Sequence, residues 1–109
     1  MAYAFLIGAI IFEVAGTAAL KLSDGFTKLW PSSITVIGYG ASFYLLSLSL
    51  RTLNVGYTYA IWSAVGLILL ALIGALFMDE TVDLAGILGI GLIAAGVIIM
   101  SVYSKMGGH

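Results

Sequence analysis

Residues 8–20 read GAIIFEVAGTAAL, a segment of helical length in which Glu13 is the one charged side chain. Apolar residues continue on both sides, so that the first 20 residues contain no other charge. An ionised group at membrane depth costs at least about 2.5–3.5 kcal/mol on insertion scales, so acids in such segments are rare and mark functional positions. The segment therefore predicts a membrane-spanning helix with a working carboxylate inside it.

The composition of the whole chain extends this prediction. Of the 109 residues 62% are hydrophobic and only 8% are charged, which is typical of a membrane protein and argues against a water-soluble domain. Three further runs, residues 29–50, 52–78 and 84–104, carry no charged side chain. Each run reaches the roughly 20 apolar residues that a helix needs to cross a bilayer. The first run lacks the basic start of a signal peptide, so we interpret it as a mature helix.

Short polar joints separate the four runs. KLSDGFTK (21–28) contains the turn signal Asp24-Gly25, and Pro31 suits the first turn of the next helix. RTLNVG (51–56) and DETVD (79–83) form the other two joints. The sequence thus predicts an all-α integral membrane protein with a single four-helix transmembrane domain over residues 1–109. Its helices should span about 2–21, 31–50, 55–78 and 84–104.

The basic residues predict how the chain inserts. Four crossings place both termini on one side together with Arg51 and Lys105, and the opposite side receives Lys21 and Lys28. Because the Lys/Arg bias of short loops sets orientation, this tie predicts insertion both ways round. The expected product is an antiparallel, dual-topology homodimer of eight helices. A single orientation decided by other features is the alternative.

The fourth helix offers a contact for that dimer. Gly89 and Gly96 lie seven residues apart, on the same helical face. Small residues let helix backbones approach closely in lipid, although glycine is also common in membrane helices generally. We therefore predict that the two subunits meet along these glycines.

The surroundings of Glu13 indicate what the carboxylate binds. On a helix its own face carries small or weakly polar neighbours, among them Ala9, Gly16 and Thr17. The apolar runs contain no lysine, arginine or histidine that could pair with it. The partner must therefore come from outside, as a proton or a cation.

Aromatic residues favour an organic cation. They fall at helical spacing together with serines, in one group of Tyr59, Trp62 and Ser63 and a second of Tyr39, Ser42 and Phe43. Aromatic rings attract cations and bury apolar substituents, whereas a metal ion would need several hard oxygen ligands. With no cysteine and a single histidine, His109 in the tail, we predict neither a metal site nor a cofactor.

Three stretches carry a family resemblance: EVAGTAALKLSDGFTKLWPS (13–32), YAIWSAVG (59–66) and AAGVIIM (94–100). Together with the chain length they resemble the small multidrug resistance family of bacterial inner-membrane exporters. The resemblance implies that Glu13 is the shared proton and substrate carboxylate and that Gly89 and Gly96 form the dimer contact. It also implies a set of aromatic site residues: Trp62, Tyr59, Tyr39, Phe43 and Tyr3.

Two positions refine the resemblance. The guanidinium-exporting branch typically has tryptophan three residues after the glutamate, whereas this chain has Gly16 and so looks more like the quaternary-ammonium branch. The family's kink in helix 3 often reads Gly-x-Gly. Here Ala64 replaces the first glycine, which leaves Gly66 to provide the bend.

These observations predict a proton-coupled antiporter that exports aromatic and quaternary ammonium cations, with protons and substrate competing for Glu13 of both subunits. Thr17, Ser42 and Ser63 complete the expected site. A narrow exporter of guanidinium compounds or polyamines is one alternative, and a channel-like oligomer or a noncatalytic membrane subunit is another. The second chain could also be a paralogue. The sequence shows no nucleophile with a base, no phosphate loop and no nucleic-acid patch, so we expect no enzyme.

Overall fold

The computed structural model describes residues 1–107, and these form four long helices. They are α1 (Ala2–Leu22), α2 (Leu29–Ser49), α3 (Val55–Phe77) and α4 (Leu84–Tyr103), followed by a short 3₁₀ helix, Lys105–Gly107. Contacts divide the chain into two compact units, with the boundary after Arg51. The first unit holds α1 and α2, and the second holds α3, α4 and the 3₁₀ helix.

In the first unit α1 and α2 pack with their backbones in close approach. A Cβ atom added at Gly38 of α2 would lie 2.8 Å from the carbonyl oxygen of Phe12 and 3.2 Å from Cα of Gly16. No side chain fits between the helices there. The pair is therefore held by contacts between small residues, which in lipid replace the hydrophobic effect that drives packing in water.

Two buried hydroxyl groups of α2 reinforce this contact. Thr35 donates a hydrogen bond to the carbonyl oxygen of Gly16 (3.0 Å), and Ser42 donates to that of Ala9 (2.7 Å). Both side chains are essentially inaccessible to solvent. Since the two bonds lie on either side of the Gly38 contact along α2, they fix how far α2 is rotated and shifted against α1.

Three helices, α1, α3 and α4, are long and apolar enough to cross a membrane. By the same measure α2 is too polar, although it has 21 residues, because it carries five serines and a threonine. All six of these hydroxyls bond to backbone carbonyls, and five of them bond to a carbonyl three or four residues earlier in the chain. Satisfied hydroxyls cost far less in hydrocarbon than free ones, so this polarity is compatible with a membrane span.

The joint between α1 and α2 is a tight turn built around buried Ser23. The Ser23 hydroxyl donates to Leu20 O at 2.6 Å and accepts from Phe26 N at 3.1 Å. Asp24, Gly25 and Phe26 all have positive φ angles, between 50° and 70°. Glycine adopts such angles without steric cost and aspartate tolerates them, so the Asp24-Gly25 turn signal is confirmed.

In the second unit Asp83 caps α4. Its carboxylate accepts a hydrogen bond from Gly86 N at 2.8 Å, which satisfies one of the free N–H groups at the helix start. At the other end of α4 Ser101 bonds with Tyr57 of α3 at 3.2 Å, and Asn54 donates to the carbonyl oxygen of Met106. The start of α3 is thus tied to the end of α4 and to the 3₁₀ helix.

Each observed helix limit lies within two residues of its prediction. The largest difference is at α2, which begins at Leu29, so that Pro31 lies inside the first turn, where its missing N–H has no partner to lose. Helix α3 runs without interruption through Ala64 and Gly66, and the kink at Gly66 stays a prediction. The single domain over residues 1–109 also stays a prediction, and His109 lies outside the described residues.

Candidate functional site

The carboxylate of Glu13 lies near the middle of α1 and is partly buried. Of the five acidic residues in the sequence it is the only one inside a helix, since Asp24, Asp79, Glu80 and Asp83 lie in the joints. Thr17, one turn further along α1, donates a hydrogen bond from Oγ1 to Glu13 Oε1 at 2.7 Å. The face predicted from helical spacing therefore supplies a polar contact to the carboxylate.

Tyr39 of α2 extends this contact into a chain of three side chains. Its hydroxyl lies 2.8 Å from Thr17 Oγ1. The position of the ring depends on Gly16, because a Cβ atom there would approach Tyr39 Cδ1 and Cε1 to 2.9 and 3.0 Å. The absence of a side chain at Gly16 thus allows the tyrosine to lie against α1 with its hydroxyl on Thr17.

The other predicted residues of the first unit take two different positions. Phe43 lies beside Tyr39, with ring centroids 6.3 Å apart, and 58% of its surface is exposed. Tyr3 is exposed over about half its surface, at 48%. Ser42, which by spacing shares a helical face with Tyr39 and Phe43, is fully buried, and its hydroxyl proton is donated to Ala9 O. Ser42 therefore positions α1 through its backbone in this chain.

The hydrogen bond from Ser42 to the Ala9 carbonyl was not predicted from the sequence, although it lies close to Glu13. In an α-helix the carbonyl of Ala9 accepts the N–H of the residue four positions later, which is Glu13. Ser42 thus bonds to the turn that carries the carboxylate. Thr35, not singled out from the sequence, does the same one turn beyond it, at Gly16. The sequence signal for these contacts is the spacing of Thr35 and Ser42, two hydroxyl residues seven positions apart on α2.

The aromatic residues of the second unit form their own pair. Tyr59 and Trp62 lie edge to face, with ring centroids 5.9 Å apart and an interplanar angle of 69°. Tyr59 is 64% exposed, Trp62 is partly buried, and Ser63 is exposed. An edge-to-face pair presents an aromatic face and a ring edge in adjacent positions, which suits a cation with apolar substituents.

Helix α4 has no buried residue in the single chain. A Cβ atom added at Gly89 or at Gly96 would meet no atom within 4 Å. Both glycines therefore lie on helix surface that the described part of the chain leaves open.

Two other features of the structure do not fit cation recognition. Residues 1–107 contain no group of three histidine, cysteine or acidic residues that could hold a metal ion. An open groove of about 320 Å³ in the second unit is lined only by apolar residues, such as Ile68, Leu72 and Ile87, and supplies no charge to a cation. Glu13 and the aromatic residues therefore stay the predicted site for an organic cation.

Comparison with known proteins identifies the relatives of this chain. A family model described as Small Multidrug Resistance protein matches residues 1–93. The chain belongs to the small multidrug resistance family. Its relatives include the Escherichia coli multidrug transporter EmrE, which is 47% identical over 107 residues, or 98% of this chain and 97% of the relative.

Further members of the small multidrug resistance family carry names of the same kind. The quaternary ammonium compound-resistance protein QacE of Escherichia coli is 46% identical over 105 residues, covering 96% of each chain. The multidrug resistance protein mmr of Mycolicibacterium paratuberculosis is 44% identical over 102 residues, or 93% of this chain and 95% of the relative.

Membership of this family confirms the predicted fold class, an all-α membrane protein of four helices. The less apolar α2 is therefore counted among the membrane helices. The relatives are transport and resistance proteins, which at the level of the family favours a transporter over an enzyme.

Proposed function

We propose that the chain is a proton-coupled antiporter of the bacterial inner membrane that exports aromatic and quaternary ammonium cations. The observation that carries the proposal is the position of Glu13, the one acid inside a helix, held by a hydrogen bond from Thr17. The names of the relatives, multidrug transporter and quaternary ammonium compound-resistance protein, agree with this substrate class.

Competition between the proton and the cation for the Glu13 carboxylate is sufficient to couple cation export to proton entry. The cation is attracted by the ionised form of Glu13, whereas the proton neutralises it, so each ligand lowers the affinity of the other. A proton gradient across the membrane then releases the cation on the side where protons are abundant. The aromatic residues Tyr59 and Trp62 bind the apolar part of the substrate and set the preference for aromatic cations.

We further propose that two chains form the transporter, with antiparallel orientation and with α4 in the contact. The unfilled surface at Gly89 and Gly96 supports α4 as that contact. The tie between Lys21 and Lys28 on one side and Arg51 and Lys105 on the other supports insertion in both orientations. Antiparallel copies would make inward- and outward-facing states equivalent, by exchange of shape between the subunits.

The test of coupling is uptake of a radiolabelled aromatic cation, tetraphenylphosphonium, into liposomes that contain only this protein and carry a proton gradient. We expect Glu13→Gln to abolish both cation binding and gradient-driven uptake. The matched control is Asp24→Asn, which removes an acid from the α1–α2 turn and keeps a residue that tolerates the positive φ found there. Substantial driven uptake by Glu13→Gln would end the proposal.

The same liposomes separate the alternatives. A channel would carry the cation without moving protons, and a noncatalytic subunit would transport nothing alone. A narrow exporter would transport guanidinium and be indifferent to tetraphenylphosphonium. Gly16 stands where the guanidinium-exporting branch typically has tryptophan, so the resemblance favours the broader specificity.

Orientation is tested separately. Because the sequence contains no cysteine, a single cysteine placed in the Arg51–Gly56 joint reports its side of the membrane without background. We expect labelling from both sides, and additional lysines in that joint and at the C-terminus should force one orientation and abolish activity of the variant alone. Labelling of the unmodified chain from one side only would contradict dual insertion.

A further inference from the structure

Tyr39 reaches the carboxylate only through Thr17. The Thr17 hydroxyl lies 2.7 Å from Glu13 Oε1 and 2.8 Å from the Tyr39 hydroxyl. A threonine hydroxyl has a single proton, and Thr17 donates it to the carboxylate. While the carboxylate is ionised and accepts that proton, the hydrogen bond between Tyr39 and Thr17 runs from the tyrosine, so the direction of the chain is Tyr39 to Thr17 to Glu13.

The chain depends on the packing of α1 against α2. Gly16 gives the Tyr39 ring its place, and Gly38 allows the two backbones to approach. Buried bonds from Thr35 and Ser42 to α1 carbonyls hold the register on either side. The tyrosine hydroxyl therefore has a fixed position against Thr17, and little freedom to turn toward a ligand without losing this bond.

We propose that Tyr39 is a positioning residue, which acts on Glu13 through Thr17 and makes the ionised carboxylate more favourable. This inference rests on the proposed function, in which the ionised carboxylate attracts the cation. A hydroxyl that itself accepts a hydrogen bond is a better donor, so Tyr39 strengthens the bond from Thr17 to the carboxylate. Hydrogen bonds donated to a carboxylate favour its charged form.

Helix α2, which packs against α1, offers few titratable or charged groups to Glu13. Helix α2 contains no charged side chain, and its titratable residues are Tyr39 and Tyr44. Tyr44 is 65% exposed, and Tyr39 has the hydroxyl bonded to Thr17. The hydrogen-bonded connection from α2 to Glu13 therefore passes through Thr17. The chemical class of ligand that benefits is a permanent organic cation, which needs the charged carboxylate but does not titrate.

The test measures tetraphenylphosphonium affinity over a range of pH for Tyr39→Phe, Thr17→Val and the double variant, in the same detergent. Thr17→Val keeps the shape of the side chain and removes the hydroxyl. We expect about a tenfold loss of affinity for Thr17→Val and about a threefold loss for Tyr39→Phe at a pH below the binding midpoint. In both variants the pH midpoint of binding should rise, and the loss should shrink toward alkaline pH.

The double variant decides between an indirect and a direct role for Tyr39. If the tyrosine acts through Thr17, Tyr39→Phe should change nothing further in the Thr17→Val background. If its hydroxyl contacts the cation directly, the threefold loss should persist there, and the proposal is wrong. Thr17→Ser, which restores the hydroxyl, should recover the unmodified pH profile. A uniform loss of affinity at all pH values, with no shift of the midpoint, would also overturn the proposal.

Four further variants are measured alongside these. Tyr44→Phe removes an exposed tyrosine hydroxyl from the same helix and should have no effect. Gly16→Ala should displace the Tyr39 ring and reproduce Tyr39→Phe, whereas a Cβ at Gly40 meets nothing within 4 Å, so Gly40→Ala should not. Glu13→Gln, measured alongside, separates the two proposals. Retained driven transport in Glu13→Gln contradicts the proposed function, whereas additive Tyr39 and Thr17 effects with an inactive Glu13→Gln contradict only the positioning role.

Discussion

The α1–α2 unit and helix α4 of the second unit differ in how much of their helix surface is buried within the chain. Six residues of α1 are buried, among them Ala9 and Gly16, and two side chains of α2 hydrogen bond to its backbone. Helix α4 has no buried residue at all, although it is just as rich in small residues. Small residues therefore form a contact within the chain in α1, whereas in α4 they lie on surface that the described chain does not bury.

This difference has a functional consequence. The carboxylate of Glu13 lies on the helix with the most buried residues, and its hydrogen bond from Thr17 is made within the single chain. The small residues of α4 remain available for a contact between chains. We therefore propose that the first unit supports the proposed proton and cation site and that α4 forms the proposed contact between chains.

The largest effect is expected from breaking the α1–α2 contact. In Gly38→Ala the new Cβ would lie 2.8 Å from Phe12 O, so the backbones must separate and the bonds of Thr35 and Ser42 lengthen. We expect a loss of about 2–3 kcal/mol in the free energy of unfolding, measured by circular dichroism during titration of micelles with a denaturing detergent. The control is Gly40→Ala. Equal stability of the two variants would show that the close approach contributes little.

A smaller effect, on binding and not on stability, is expected in the second unit. Trp62→Ala removes one partner of the edge-to-face pair with Tyr59. Affinity for aromatic cations should fall by about 1–2 kcal/mol, since both buried area and cation–π attraction are lost. Calorimetry with several aromatic cations checks this. Unchanged affinity for all of them would mean that the ring packs against lipid or protein.

The smallest expected change concerns α4. Because a Cβ at Gly96 meets nothing within the described chain, Gly96→Leu should leave the folded single chain intact and weaken self-association. An approximately tenfold weaker dimer, or about 1.4 kcal/mol, is expected because leucine holds the helix backbones apart. Light scattering and cross-linking in detergent measure this, with circular dichroism as the check on folding. An unchanged dimer would place the interface elsewhere.

Much of the fold follows from local features of the sequence. Four apolar runs, three of them free of charge, locate the helices, and Asp24-Gly25 locates the turn that the structure builds with positive φ angles. The contact between Glu13 and Thr17 is also local, since residues four apart share a helical face. These features could be predicted because they depend on the neighbours of a residue along the chain.

Other features of the candidate site could not be predicted in this way. Spacing places Tyr39, Ser42 and Phe43 on one side of α2, yet Ser42 is fully buried against α1 while Phe43 is 58% exposed. A face of three residues covers a wide arc of the helix, and only the rotation of α2 against α1 decides which part of it is buried. The polar composition of α2 likewise does not show whether its hydroxyls are satisfied, and the structure shows them bonded to backbone carbonyls.

The sequence by itself determined the membrane class, the four helices, the position of the single helical acid and the family of this chain, because each depends on composition or on order along the chain. The tertiary structure alone decided that Tyr39 meets Thr17, that Gly16 gives space to its ring, and that Ser42 bonds to the turn carrying Glu13. The physical reason is that contacts between helices depend on rotation and register. Between α1 and α2 both are set by the close approach of Gly38 together with the bonds from Thr35 and Ser42, which no periodicity along one helix encodes.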